Sequence, residues 1–311
     1  WSKPDLDREY VLSLDVEHYF GNIQKMRKHL ETDRQILWVT YYRNLYNATH
    51  PSEINSPVSL SRNLLAWNQP GTNGLILPVN PSASFLSILF ANELWFTLGD
   101  MTMAEHCAML SMIFSPRNSG SRMIKRLAEI NLVNGDDEAA LKYLRILDKT
   151  LLHKSWAEKR IPDQQTPQVK EWLEKKRRDI PTQDHLRSGN DAVTSLRNLV
   201  ASNAGNLRAY EYLLCYHLLS KDLRSFVEDY VPGKVSSSIF AEALLIHLAR
   251  QGNIRAEELI KYQIPVKIAK EFADYTRLYE AKDTSLKEKY GKTYWFYYHF
   301  ATTEPGKESK P

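Results

Sequence analysis

Cysteine, glycine and charge of one sign are all scarce in this chain. Two cysteines in 311 residues, Cys107 and Cys215, are too few for a disulfide scaffold. Their apolar neighbours read them as buried free thiols, and nothing in their spacing supports a pairing. Twelve glycines exclude a collagen-like repeat and argue against Gly-rich β architectures. The 41 basic and 37 acidic side chains leave a formal net charge of +4, which does not point to nucleic acid. Long apolar runs are missing as well. The stretch 85–98 is interrupted by Asn92 and Glu93, and a bilayer span needs ~20 predominantly apolar residues. No HExxH, CxxC or HxH spacing occurs among the nine scattered histidines, so no metal site is signalled. There is no GxSxG, no GxGxxG after a strand and no Walker loop. The segment NQPGTNG (68–74) lacks the following Lys-Ser/Thr and reads as a turn cluster. We therefore expect no catalytic residue, no cofactor and no metal.

What is present is helical periodicity. Hydrophobic residues make up 43% of the chain, enough to bury a core. Ala140, Tyr143, Leu144, Leu147 and Leu151 recur on one helical face, and Met123, Leu127 and Ile130 mark another. Similar faces run through 16–46, 192–200, 210–230, 240–260 and 268–279, with no convincing strand alternation anywhere. The reading is all-α. Residues 1–157 form an N-terminal helical lobe interrupted by a Pro- and Gly-containing crossing at 50–81. A charged linker with room for one short helix at 168–178 follows at 158–189, then a C-terminal helical lobe at 190–301 and a disordered tail at 302–311. The basic run Lys175–Arg178 lies beside Trp172, with Glu171, Glu174 and Asp179 partly neutralising it, and reads as a solvated helix face.

One phrase repeats. GDMTMA (99–104) and GDDEAA (135–140) share Gly-Asp with Ala five residues after the Gly, and they lie 36 apart. Gly suits the end of one helix, Asp caps the next, and the small Ala lets two helices approach. SKDLRSF (220–226) and QGNIRA (251–256) look like degenerate versions. With this period the chain resembles tetratricopeptide-like helical repeat proteins, well over 84–152 and weakly over 8–47 and 207–280. The resemblance implies an irregular α-α superhelix of antiparallel helix pairs with a concave face. The phrases MIKRLAEINLVNGDDEAALKYLRILDKTLLHKSWA (123–157) and LRAYEYLLCYHLLSKDLRSFVEDY (207–230) also resemble an uncharacterised Bacteroidetes family of multi-span membrane proteins. That resemblance implies a soluble, extracytoplasmic C-terminal domain, membrane-anchored through a region upstream of Trp1, and no established activity.

The expected role is a non-enzymatic protein–protein interaction or scaffolding module. The alternative is an accessory domain guiding substrate for a membrane-embedded glycan or lipid transferase. Partners would be a protein or peptide, with contact to a membrane surface or to the membrane region of the parent protein, and no nucleic acid. Trp95 and Asn131 sit at groove positions on inner helices. Trp295 and Tyr298 belong to the dense aromatic run Tyr290–Phe300, which reads first as a cap over the last apolar face and second as a partner contact.

Overall fold

A computed structural model describes residue 92 and residues 94–114, 116–182 and 192–300. The helices expected within 16–46, the crossing 50–81 and the tail 302–311 lie outside these residues. The regular elements of the described residues are all helices, with no strand among them. They fall into two compact units, one running through Ala209 and the other from Tyr210.

In the first unit a helical stretch at 94–98 is followed by α1 (Met101–Phe114), α2 (Pro116–Asn134) and α3 (Asp137–Asp148). Helix α2 packs along both α1 and α3, and α4 (Lys154–Glu158) folds back on α3. Ala104, Ala108, Leu127, Ala128, Ala140 and Leu144 are fully buried, so small side chains stand where the helices meet. Helix α3 carries Asp137 and Glu138 in its first turn and Arg145 in its last, which complements the helix dipole at both ends.

Helix α5 (Pro167–Asp179) matches the short helix expected at 168–178. Thr166 caps it by accepting from the Val169 amide, Pro167 presets its first turn, and Val169 and Leu173 are buried against α2. The solvated face expected for Lys175–Arg178 holds for only part of the run. Lys175 pairs outward with Glu171 at 2.7 Å. Arg177 stays exposed yet donates to the carbonyls of Leu132 (2.8 Å) and Val133 (3.0 Å). Lys176 turns inward, 4.5 Å from the centroid of the Phe96 ring. Helix α6 (Ala192–Ser202) and α7 (Leu207–Leu219) come next.

In the second unit α8 (Leu223–Asp229), α9 (Ser238–Arg250), α10 (Ala256–Lys261), α11 (Val266–Glu280), α12 (Leu286–Tyr290) and α13 (Tyr294–Phe300) follow α7. Helix α9 is apolar on nearly every side, from Ile239 to Leu248, and such a helix must be central. It is packed by α8, α11 and α13. The aromatic run of α13 closes over it: Tyr294, Trp295 and Tyr297 are buried, and Trp295 lies 5.2 Å from Phe272 and 5.5 Å from Tyr275.

The Gly-Asp phrase proves to be one turn used many times. Gly99 has φ +91° and Gly135 has φ +81°, the left-handed region where a Cβ is strained. Asp100 and Asp136 donate their amides back to Trp95 and Asn131, five residues earlier, while the Gly amides reach three residues earlier. This is the Schellman closure of a helix. Each Asp side chain then accepts from the amide three residues on, at 2.9 and 3.0 Å, capping the next helix. The same closure recurs at Lys221-Asp222, Gly252-Asn253, Gln263-Ile264 and Lys282-Asp283. Three of the six therefore hold a non-Gly residue at positive φ. That is why only part of the pattern is visible as a sequence repeat.

Candidate functional site

The second unit carries a groove with a volume of about 280 Å³. It forms where the connection between α8 and α9 meets the turn between α10 and α11. Tyr230 and Tyr262 flank it with ring centroids 6.4 Å apart. Ser236, Ser237 and Ser238 line it at the start of α9, and Gln263, Pro265 and Ile268 complete the far side. Local conformation explains the shape. Gly233 has φ +79° and lets the connection bend close to the Gln263 side chain. Gln263 is itself held at φ +54° by the Schellman closure of α10. Pro265 then starts α11 from an extended conformation.

The groove offers hydroxyls, an amide and aromatic faces. Ser237 stands at the N-cap of α9 but makes no capping hydrogen bond, and its Oγ is buried without a protein partner. Two apolar side chains stand beside the groove in sequence and are largely exposed, Ile260 at 78% and Val266 at 68%. No carboxylate, imidazole, amine or thiol is among the lining residues. The only titratable groups are the two phenols, and burial raises that of Tyr230 further. Such a lining recognises shape and hydrogen bonds, and lacks a group suited to moving protons near neutral pH.

Titratable side chains gather elsewhere, and each gathering is occupied by structure. Over the Phe96 ring lie the Arg126 guanidinium, 3.7 Å from the ring centroid, and the Lys176 ammonium. Burial, together with Arg208 and Arg126, brings the Lys176 ammonium down to about 7. Lys176, Arg208 and Asn206 nonetheless all donate to the closing carbonyls of the 94–98 helix, Phe96, Thr97 and Leu98. His217, 1% exposed, meets Asp229 at 2.8 Å, and the neighbouring Tyr210 hydroxyl ties the Asp229 carbonyl to the Val231 amide. Glu242 accepts from the Tyr294 amide at 2.6 Å, and burial raises its carboxyl to about 7. Burial also pushes the Cys107 thiol up to about 12 and Cys215 well above its ordinary value, which keeps both as thiols. Among the described residues no cluster of three or more His, Cys, Asp or Glu is arranged to hold a metal ion.

The residues expected to bind partners are divided between the two units. Trp95 (2% exposed) and Asn131 (8%) lie in the first unit, where the Asn131 amide donates to the Leu127 carbonyl. Trp295 (1%) lies in the second, with its indole N–H donating to the Glu242 carbonyl at 3.0 Å. Tyr298 keeps part of its ring open and accepts from Arg250 at 2.6 Å. The groove residues were not singled out from sequence. The signal that points to them is the Pro-Gly turn followed by three serines, PGKVSSS (232–238), at a helix start.

A family profile matches residues 1–301, nearly the whole chain. The chain belongs to a family of unknown function (DUF6057). No curated protein and no solved structure matches it. Among the described residues of this family member, no helix is long and apolar enough to cross a membrane.

Proposed function

We propose that this member of the family is a non-enzymatic interaction module and that the groove of the second unit takes an extended polypeptide segment. The lining carries the reading: two tyrosines, three serines and a glutamine beside Val235, Ala241, Pro265 and Ile268, with no acid–base pair. Tyr and Ser supply contact area and adaptable hydrogen bonds at low entropic cost, and an unpartnered Ser237 hydroxyl suits a backbone amide or carbonyl of a bound chain. The recurrent Schellman turns support a tetratricopeptide-like stacking of helix pairs as the scaffold. Attachment to a membrane-embedded portion of a longer protein belongs to the same proposal and rests on family resemblance alone.

The test is a peptide-display selection against the whole chain, followed by titration of the selected sequences. Selected peptides bind, and Tyr262→Ala weakens them by about tenfold, the loss expected of an aromatic anchor. Peptides that bind equally well to Tyr262→Ala and Gln263→Ala variants would place recognition elsewhere and remove the groove from the proposal.

A further inference from the structure

The most exposed apolar side chains of the described residues belong to the first unit. Leu151 is 102% exposed and Leu152 is 89% exposed, on the turn between α3 and α4. Ile146, 49% exposed, precedes them on the last two turns of α3. Exposure this high leaves almost no protein atom against either leucine, so this tip of the α3–α4 turn is open rather than set in a groove. The tip is also well defined. The Thr150 hydroxyl donates to the Leu147 carbonyl at 2.7 Å and accepts from the His153 amide at 3.2 Å. The Lys154 amide closes on the Thr150 carbonyl at 3.1 Å. Two leucines held outward by an ordered backbone are a costly exposure unless something covers them.

The charges nearby indicate the cover. Lys142, Arg145, Lys149, Lys154 and Lys159 are all exposed within ten residues of the tip. Over 142–160 the only acids are Asp148 and Glu158, and Glu158 reaches Lys154 only at 3.9 Å. At the base of the tip lies Trp156, half-buried, with the Arg160 guanidinium 4.1 Å and the Lys125 ammonium 5.0 Å from its ring. An open apolar turn with a tryptophan and five exposed cations within ten residues of it complements a layered partner: a negatively charged plane over an apolar interior. A protein surface would need a matching concave pocket, whereas a fluid bilayer deforms around the tip.

We propose that the Leu151–Leu152 turn is a docking tip that inserts into the surface of an anionic lipid bilayer, with the surrounding lysines and arginines seated among the headgroups. This inference does not rest on the groove of the second unit or on any attachment upstream, since the tip would act in the isolated chain.

The experiment is co-sedimentation of the whole chain with sucrose-loaded vesicles of phosphatidylcholine, with and without about a third phosphatidylglycerol. The expected result is binding to the anionic vesicles only. Binding weakens by about tenfold or more in Leu151→Ser/Leu152→Ser, and by about fivefold for each cation removed in Lys149→Gln and Lys154→Gln. The replaced side chains are exposed, and unchanged circular dichroism would confirm that the variants fold. Absence of binding to anionic vesicles would overturn the proposal. So would equal binding by the leucine variant, which would reduce the contact to charge alone. Leucine-dependent self-association in sedimentation velocity, with no vesicle binding, would overturn it in favour of a contact between copies of the chain.

Discussion

The two units finish the same kind of helix with different chemistry. In the first, the last carbonyls of the 94–98 helix and of α2 receive Lys176, Arg177, Arg208 and Asn206. In the second, the last carbonyls of α7 receive phenols: Tyr294 donates to Leu218 and Tyr297 to Leu219, both at 2.8 Å. The carbonyl end of a helix is its negative pole, so cations gain from the dipole as well as from the hydrogen bond. A phenol gains the hydrogen bond and buries a ring, and it holds no charge to desolvate. The difference shows that an orphan helix end can be satisfied by basic side chains, among them the exposed Arg177 and the partly buried Lys176, or by hydroxyls in a dry core. The two solutions respond differently to substitution and to pH.

The largest effect expected is at Gly99. A Cβ there would meet the Asp179 carbonyl oxygen at 2.3 Å, on the backbone of the helix that supplies the cations. Gly99→Ala should destabilise the first unit by about 3 kcal/mol or more, combining overpacking with a left-handed backbone. Gly135 has the same turn but open space around it. Gly135→Ala should cost only about 1–2 kcal/mol. Denaturant titration followed by hydrogen exchange in each unit measures both. Equal losses would mean that the approach of Asp179 is not what demands glycine.

The phenolic solution is tested next. Tyr294→Phe and Tyr297→Phe each leave a buried carbonyl short of a partner and should each cost about 1–3 kcal/mol in the second unit. A loss that appears only in the first unit would break the assignment.

Opposite pH signatures should separate the units. Burial lowers Lys176 from its ordinary 10.5 to about 7. Between pH 7 and 10.5 the unfolded chain binds the proton and the folded chain does not, so stability rises with pH across that window. Lys176→Met should remove the rise. Burial raises Glu242 from 4.5 to about 7. Between pH 4.5 and 7 the folded chain holds the extra proton, so stability falls as pH rises through that range. Glu242→Gln keeps an oxygen to accept the Tyr294 amide and should remove the fall. Unit-resolved hydrogen exchange across pH, corrected for intrinsic exchange, distinguishes the two. A shared slope in both units would defeat the distinction.

The smallest effect belongs to Lys282, exposed and held at φ +53°. Lys282→Gly should stabilise the second unit by about 0.5–1 kcal/mol by relieving the left-handed strain. A destabilising result would show that the Lys282 side chain contributes more than its backbone costs.

Much of the helical architecture was legible because its signals are local. The stripe Ala140, Leu144, Leu147 is buried as its spacing requires. The Gly-Asp phrases end one helix and cap the next, as do the degenerate form at 220–226 and, for the closure alone, the one at 251–256. Lys221, Gln263 and Lys282 show why the other turns were harder to see. A residue forced into positive φ by the helix it closes leaves no composition mark. The basic run at 175–178 misled for a related reason. Charge periodicity describes a helix face but not which carbonyl ends lie within a side chain's reach: Lys176 turns inward to the Phe96 carbonyl, and Arg177, though exposed, donates to those of Leu132 and Val133. Trp95 reads as a binding residue from its groove position on an inner helix and Trp295 because Tyr and Trp favour boundaries; both rings are buried, since large aromatics also fill cores.

The sequence by itself determined that this chain is built of helices, where several of them stop, and that no known catalytic motif is written in it. Those properties follow from periodicity and from the backbone preferences of single residues, which act over a few positions. Only the tertiary structure decided which helix ends receive cations and which receive phenols. It alone placed a groove beside Tyr230 and Tyr262 and left Leu151 and Leu152 in solvent. Each of these depends on side chains tens of residues apart meeting through packing, and no local preference encodes such a meeting.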